Sequence, residues 1–231
     1  MLEENKNCWL VDSCDKSHCD TFCIKRFKLN YLYDLALIPV NKRRHIGLRP
    51  DADGTDEEIF SKLKPELEDK IVDLVSRGTN FYIFSKQCGN GKTSISLRLV
   101  EAYLNSIWEY ANLECKVLFV SVPRFLLELK ASLGKKNEYI NHIKENVNTC
   151  DLVVWDDIGE KSATEFEGTN LYSMIENRLL AGKSNIFTSN LNPEEMHEAV
   201  GDRLASRIVY ESMAIKLSGK DKRGINLFGG N

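Results

Sequence analysis

Phe81-Tyr82-Ile83-Phe84-Ser85-Lys86-Gln87-Cys88-Gly89-Asn90-Gly91-Lys92-Thr93 is an apolar run followed by a glycine-bearing turn and then Lys-Thr. The apolar part, aromatic and β-branched, reads as a buried strand. Ser94-Ile95-Ser96-Leu97-Arg98-Leu99-Val100 reads as the helix that follows. Strand, loop and helix in that order make a phosphate-binding loop. Small residues let successive backbone N–H groups turn inward around a polyphosphate, and the helix N-terminus adds its partial positive charge. Cys88, Gly89, Asn90, Gly91, Lys92, Thr93 and Ser94 are therefore the expected nucleotide contacts. Lys92 would reach the β- and γ-phosphates, and the Thr93 hydroxyl would bind Mg²⁺. Lys86 stands where the first glycine of G-x-x-x-x-G-K-[ST] belongs. A glycine-rich turn that merely precedes a lysine is the competing reading, and an acidic strand downstream decides between them.

Asp151-Leu152-Val153-Val154-Trp155-Asp156-Asp157 is that strand. It sets two carboxylates at the C-terminal edge of a buried element, where ligands bind in open α/β sheets. Asp156 is expected to hold Mg²⁺ and Asp157 to polarise the attacking water of an ATP–Mg²⁺ site. Lys116 to Val122, Ser184 to Asn190 and Met213 to Leu217 read as further strands, with helices between them and Pro123 opening one helix. Continuous apolar strands alternating with helices predict a parallel sheet covered on both faces. Thr188-Ser189-Asn190 ends the fourth strand with polar groups suited to orienting a water. Arg203 and Arg207 lie four residues apart on one helix face. Such an arginine can enter a neighbouring subunit's site, and a surface ion pair is an equal alternative. Thr55-Asp56-Glu57-Glu58 reads as a capping box opening a helix that runs to Arg77-Gly78 and breaks near Pro65.

Of 231 residues, 42% are hydrophobic and 28% charged, and the formal charge is −3. That excludes a whole-chain electrostatic case for nucleic-acid or membrane binding. No apolar run is long enough to span a bilayer and the polar N-terminus has no leader pattern, so a cytoplasmic protein is expected. Seven cysteines in that compartment argue for metal or plain thiols over disulfides. Cys8, Cys14, Cys19 and Cys23 bunch together, and four thiolates on a short segment make a tetrahedral Zn²⁺ site, with His18 able to replace one. An iron–sulfur cluster uses similar ligands, and unligated thiols are the plainer alternative. After them Ile24 to Ile38 reads as a helix with an apolar face of Phe27, Tyr31, Leu35 and Ile38 and a basic face of Lys25, Arg26 and Lys28. Arg49 to Gly54 reads as a linker, dividing an N-terminal cysteine-rich module (1–50) from the main domain (51–231).

Gly89-Asn90-Gly91-Lys92-Thr93, Val153-Val154-Trp155-Asp156-Asp157-Ile158-Gly159, Asn185-Ile186-Phe187-Thr188-Ser189-Asn190, Arg203-Leu204-Ala205-Ser206-Arg207 and Gly219-Lys220-Asp221-Lys222-Arg223-Gly224 occur in an order and spacing that resembles the DnaC/DnaI-like AAA+ ATPases. These are replicative-helicase loaders of bacteria and their phages, and the short phage or prophage type, which also begins with a cysteine cluster, is the nearest in pattern. The resemblance implies an AAA+ fold with a five-stranded parallel sheet behind a small cysteine-rich helical module. It implies a weak, partner-stimulated ATPase that grips single-stranded DNA and a hexameric replicative helicase. By position, Asn190 resembles the sensor-1 residue, Arg207 the arginine finger used in self-association, and Arg223 sensor 2. Relatives contact DNA after the second strand and after the acidic motif, positions held here by Arg124, Phe125, Thr164 and Phe166. Core packing is the competing reading of both phenylalanines. The cysteine module with its basic helix resembles the part that docks the helicase. An IstB-type transposition helper shares the core motifs, and a nucleotide-dependent helicase adaptor or inhibitor is the non-catalytic alternative.

Overall fold

Five strands form one parallel sheet: β1 (Asn80–Phe84), β2 (Val117–Ser121), β3 (Leu152–Asp156), β4 (Ser184–Ser189) and β5 (Ser212–Lys216). Their order is β2-β3-β4-β1-β5. The computed structural model describes residues 8, 10, 14, 22–43, 48, 51, 53–160 and 164–222. Side chains alternate along each strand, so the sheet has two apolar faces. Phe81 and Ile83 of β1, Val117 and Phe119 of β2, and Leu152 and Val154 of β3 enter one cluster. Tyr82, Phe84, Leu118, Val120, Val153 and Trp155 enter the other. Both faces need cover, which is why the strands read as unbroken apolar runs.

Helices α1 (Ile24–Leu35), α2 (Glu57–Lys62), α3 (Ile71–Ser76) and α4 (Lys92–Ile107) lie on the first side. Helices α5 (Val122–Ala131), α6 (Glu138–Asn146), α7 (Glu165–Leu180), α8 (Pro193–Val200) and α9 (Asp202–Tyr210) supply the second. Between α2 and α3 the chain widens into a π turn, Leu63–Glu68, where the Asp69 N–H donates to the Lys64 carbonyl at 2.9 Å. Pro65 explains it: its ring clashes with the carbonyl four residues back and it has no N–H to donate. No helix among the described residues is long and apolar enough to cross a membrane.

Three sequence expectations change. The capping box at Thr55 does not form: α2 starts one residue later behind Asp56, and the Thr55 hydroxyl donates to Asp53 at 2.6 Å. Glu58 instead pairs with Lys62. A nearer carboxylate has captured the hydroxyl. Helix α4 runs on past Val100 to Ile107. Helix α1 stops at Leu35, because Leu37 turns to φ +60 before Pro39, and it buries a different stripe. Leu29, Leu32, Tyr33 and Ala36 face the core, while Phe27 and Tyr31 are 60% and 44% exposed. Both sets have helical spacing, so periodicity alone could not choose between them. The chosen stripe joins the same buried cluster as β1 and α4, and the Phe119 N–H donates to the Ala36 carbonyl at 2.8 Å. The N-terminal helix thus shares the core of the main domain across the expected linker.

Candidate functional site

Because β4 separates β1 from β3, the loop after β1 and the acid at the end of β3 converge on either side of β4's C-terminal end. The register pairs Phe84 with Ser189 and Trp155 with Phe187. The loop leaving β1 turns through Gly89 (φ +70) and Gly91 (φ +114), backbone that residues with a Cβ rarely adopt. Asn90 is fully buried and its amide donates to Ser85 Oγ at 2.6 Å, so its side chain braces the loop rather than lining the cavity. Lys92, the first residue of α4, is 6% exposed and donates to the Gln87 carbonyl at 2.8 Å and to Ser85 O and Asn90 Oδ1 at longer range. Burying an ammonium is costly without such acceptors.

The adjoining acid is Asp156, 5% exposed at the end of β3. Its Oδ1 accepts from the Thr93 hydroxyl at 2.9 Å and from the Thr188 hydroxyl at 2.7 Å. Thr188 in turn accepts from the Asp157 N–H at 2.9 Å. One threonine on β4 therefore fixes both aspartates relative to the phosphate loop. From sequence, Thr188 reads as one of the polar groups ending β4 and suited to orienting a water; its bonds to both aspartates are not foreseen. Asp157 itself turns at φ +58, and burial, reinforced by the charges of Asp156 and Glu160, raises its pKa to about 6. Asn190 follows immediately after β4. The Ser189 hydroxyl donates to Ile158 O at 2.7 Å and the Tyr82 hydroxyl to Leu191 O at 2.8 Å, anchoring the residues on both sides of it.

A cavity of about 620 Å³ opens over this junction. Such a volume is of the size that encloses a nucleotide-sized ligand, roughly 300–1,000 Å³. Cys88, Gly89, Gly91, Lys92, Thr93 and Ser94 line it from one side, and Asp156, Asp157 and Asn190 from the other. Asn41, Lys42, Leu97 and Glu160 complete the wall; from sequence, only the basic run Asn41 to His45 that holds Lys42 has phosphates among its readings, beside an acidic partner surface and plain solvation. The donors are a hydroxyl and carboxylates, oxygen ligands of the kind a hard dication takes, so Thr93 and Asp156 fit Mg²⁺. Lys86, odd as a glycine replacement, points outward and pairs with Glu195 at 2.8 Å. The glycine position lies at the loop's entry, where the side chain has room.

The remaining candidates lie elsewhere. Arg207 does not line the cavity of its own chain: it pairs with Glu176 and Glu211, each at 3.0 Å, on the outer side of α9. Arg124 stacks over Tyr139 at 4.2 Å. Phe125 is fully buried in the second core, so it cannot stack on a base, and its expected DNA contact is withdrawn. The Thr164 hydroxyl is committed to capping α7 with Glu167, while Phe166 two residues on is 48% exposed. Arg223 lies outside the described residues. The tail before it reaches the site, however: the Lys222 N–H donates to the Gly89 carbonyl at 3.0 Å, and Asp56 accepts from the N–H groups of Ser218 and Gly219. Of the proposed zinc ligands, Cys19 is outside the described residues, Cys14 is exposed, and Cys8 packs against the first core. Among the described residues no three His, Cys, Asp or Glu side chains gather to hold a metal, so no step is assigned to zinc.

Comparison with known proteins agrees with this geometry. Residues 66–214 match the family described as the bacterial DnaA ATPase domain. Over 169 residues, 67% of this chain, the sequence is 28% identical to the replicative helicase loader DnaI of Bacillus subtilis (strain 168). Over 129 residues, 55% of the chain, it is 25% identical to the replicative helicase loader DnaC of Buchnera aphidicola subsp. Schizaphis graminum. The chain spans about half the length of these curated relatives, 50% and 49%. Among solved structures, the DnaC helicase loader superposes with a TM-score of 0.56 over 74% of this chain and 93% of that one, at 15% identity. The replication initiator DnaA bound to AMPPCP and single-stranded DNA gives 0.55 over 76% and 49%, at 20% identity. Identities this low establish a shared fold.

Proposed function

Since this chain belongs to the family of the bacterial DnaA ATPase domain, we propose that it is an ATP-binding and ATP-hydrolysing loader that helps place a hexameric replicative helicase on single-stranded DNA. The observation that carries the proposal is the pair of hydroxyls, Thr93 from the phosphate loop and Thr188 from β4, converging on one oxygen of Asp156. That arrangement suits a terminal phosphate and its metal, and the curated relatives that share the chain's core are named as helicase loaders.

In this reading Lys92 exchanges its loop carbonyls for phosphate oxygens. Mg²⁺, held by Thr93 and Asp156, would neutralise charge on the β- and γ-phosphates. Asp157 orients the attacking water and takes up its proton, a role for which a carboxyl raised to about 6 by burial is ionised at neutral pH. Asn190 holds that water from the opposite side. Arg207 acts on a neighbouring copy, leaving Glu176 and Glu211 to neutralise transition-state charge there. Arg124 and Phe166 offer a cation and a ring to a single strand, and Arg223 keeps the sensor-2 role that the resemblance implies.

The test pairs nucleotide turnover with capture of the replicative helicase, a transposase serving as competing bait. Lys92→Ala is expected to abolish ATP binding and ATP-dependent helicase loading. Intact loading by Lys92→Ala, together with turnover indifferent to helicase and single-stranded DNA, would sink the ATP-switch reading. Capture of the transposase in preference to the helicase would move the chain to the transposition helpers.

A further inference from the structure

We propose that Lys42 is a second cationic contact for the nucleotide's terminal phosphate, carried to the cavity by the N-terminal strap, so that ATP binding and the docking of α1 stabilise each other. The proposal rests on the nucleotide-site reading above and adds a residue that no motif contains.

The strap is a built element. It leaves α1 through Leu37 at φ +60, an unfavourable conformation for leucine. It then makes a single 3₁₀ turn, Val40–Lys42, closed by the Lys42 N–H on the Pro39 carbonyl at 2.8 Å. Arg43, 8% exposed, holds the turn against the helix. Its Nε and Nη2 donate to the Ile38 carbonyl at 3.0 and 2.8 Å, and Nη2 also meets Asp34 at 2.6 Å. A charged donor satisfied by a carbonyl and a carboxylate together fixes a geometry that a leucine in the left-handed region would otherwise relax.

That clamp points Lys42 at the nucleotide cavity. Its ammonium lies 5.2 Å from the centre of the Phe119 ring on β2, and the residue lines the cavity with Asp156, Asp157 and Glu160. In the sheet order β2-β3-β4-β1-β5, Phe119 pairs with Val154, so Lys42 enters from the β2–β3 edge, beside the aspartates. The phosphate loop and the tail on Gly89 approach from the β1 side. The two lysines therefore approach the terminal-phosphate position from different sides, Lys92 from within the loop and Lys42 from beside the acids. Three carboxylates face that end, and a third phosphate adds more negative charge there than ADP does. A cation resting over an aromatic ring can swing to a phosphate oxygen at small cost, exchanging a cation–π contact for a charge-assisted hydrogen bond. Coupling is reciprocal: a ligand that binds tighter when α1 is docked must hold α1 in place.

The experiment titrates the full chain with fluorescent N-methylanthraniloyl ATP and ADP in Mg²⁺, alongside Lys42→Gln, Lys42→Arg and Lys92→Ala. Loss of one charged hydrogen bond should weaken ATP binding of Lys42→Gln about tenfold while ADP binding changes less than about twofold, and Lys42→Arg should restore most of the preference. In hydrogen exchange, ATP should protect the amides of residues 32–43 in the native chain and in Lys42→Arg, and fail to do so in Lys42→Gln. A native ATP-to-ADP ratio in Lys42→Gln, or equal losses for both nucleotides, overturns the proposal. Lys92→Ala separates the two levels. If it retains both nucleotides, the site reading itself fails. If it loses both while Lys42→Gln keeps the native ratio, only the role of Lys42 falls.

Discussion

The edge of the sheet and the N-terminal helix both supply residues to one cavity, yet they are held in opposite ways. Asp156, Thr188 and the phosphate loop grow out of β1, β3 and β4, strands whose residues are all buried. Lys42 hangs from α1, which buries Leu29, Leu32 and Tyr33 but leaves Ile24, Phe27 and Tyr31 on its exposed side. Each central strand is fixed by neighbours on both sides; the helix is fixed by one buried stripe and by hydrogen bonds to the Leu35 and Ala36 carbonyls at its C-terminal end. The geometry of Asp156, Thr188 and the phosphate loop is thus set by the part of the fold that costs most to distort, and the proposed Lys42 contact by a helix expected to detach before the sheet unfolds.

Arg178 tests the rigid half most severely. It is fully buried, and its Nε, Nη1 and Nη2 donate to Asn185 Oδ1 and to the carbonyls of Val147, Cys150, Asp151 and Ser184. Those acceptors lie before β3 and at the start of β4, so one guanidinium staples the N-terminal ends of the strands whose C-terminal ends carry the site. Desolvation pulls its pKa down, but a guanidinium stays charged. Arg178→Ala should cost about 3–5 kcal/mol by urea unfolding, because several buried carbonyls are left without donors. Arg178→Lys should recover little, since an ammonium has three donors in the wrong geometry. A loss under about 1 kcal/mol would mean that the strand starts are held by packing alone.

Arg43→Ala addresses the other half and should have a smaller, local effect. Removing its bonds to Ile38 O and Asp34 should cost about 1–3 kcal/mol, and Leu37 is then free to leave its strained conformation. Hydrogen exchange should accelerate over residues 29–43 while β1, β3 and β4 keep their protection. Uniform acceleration across the sheet would mean that α1 opens only together with β1, β3 and β4.

The two halves were unequally legible in the sequence, for the same physical reason. Strands and phosphate loop are contiguous: Phe81 to Thr93 contains its own strand, turn and helix start, and Val153 to Asp157 its own acid. Local chemistry suffices there. Thr188 was readable as a polar strand end, but its bond to an aspartate from another strand depends on sheet order. In α1 two stripes of helical spacing competed, and only docking against α4 and β2 chose the aliphatic one. Lys42 lay in a basic run, Asn41 to His45, that reads equally as a phosphate or acidic-partner contact and as a solvated face, and its place in the cavity follows from a turn the sequence does not announce. Phe125 failed differently: a ring beside an arginine suits a nucleic-acid contact, but its position on α5 turns it into the core.

Thiol chemistry sharpens the contrast with the least perturbation, since the chain carries native probes in each region. Cys88 is exposed on the phosphate loop and should be labelled by a small disulfide reagent without any opening of the fold. Burial pushes Cys115 up to about 12 and Cys150 up to about 11, so neither reacts from the native state. Their routes to exposure differ. The Cys115 thiol donates to the Leu35 carbonyl at the end of α1, whereas Cys150 lies beneath Arg178. Undocking of α1 should therefore suffice to label Cys115, and Arg43→Ala should speed that reaction while leaving Cys150 governed by global unfolding. The same shifts set a pH dependence. Both thiols are more acidic in the unfolded chain, so their contribution to stability is complete below pH 9 and is lost as pH rises through 11 and 12. Urea midpoints should fall over that alkaline window, and less steeply in Cys150→Ala than in the native chain. Labelling of Cys115 and Cys150 at one common rate, in the native chain and in Arg43→Ala alike, would show that helix and sheet open as a single unit.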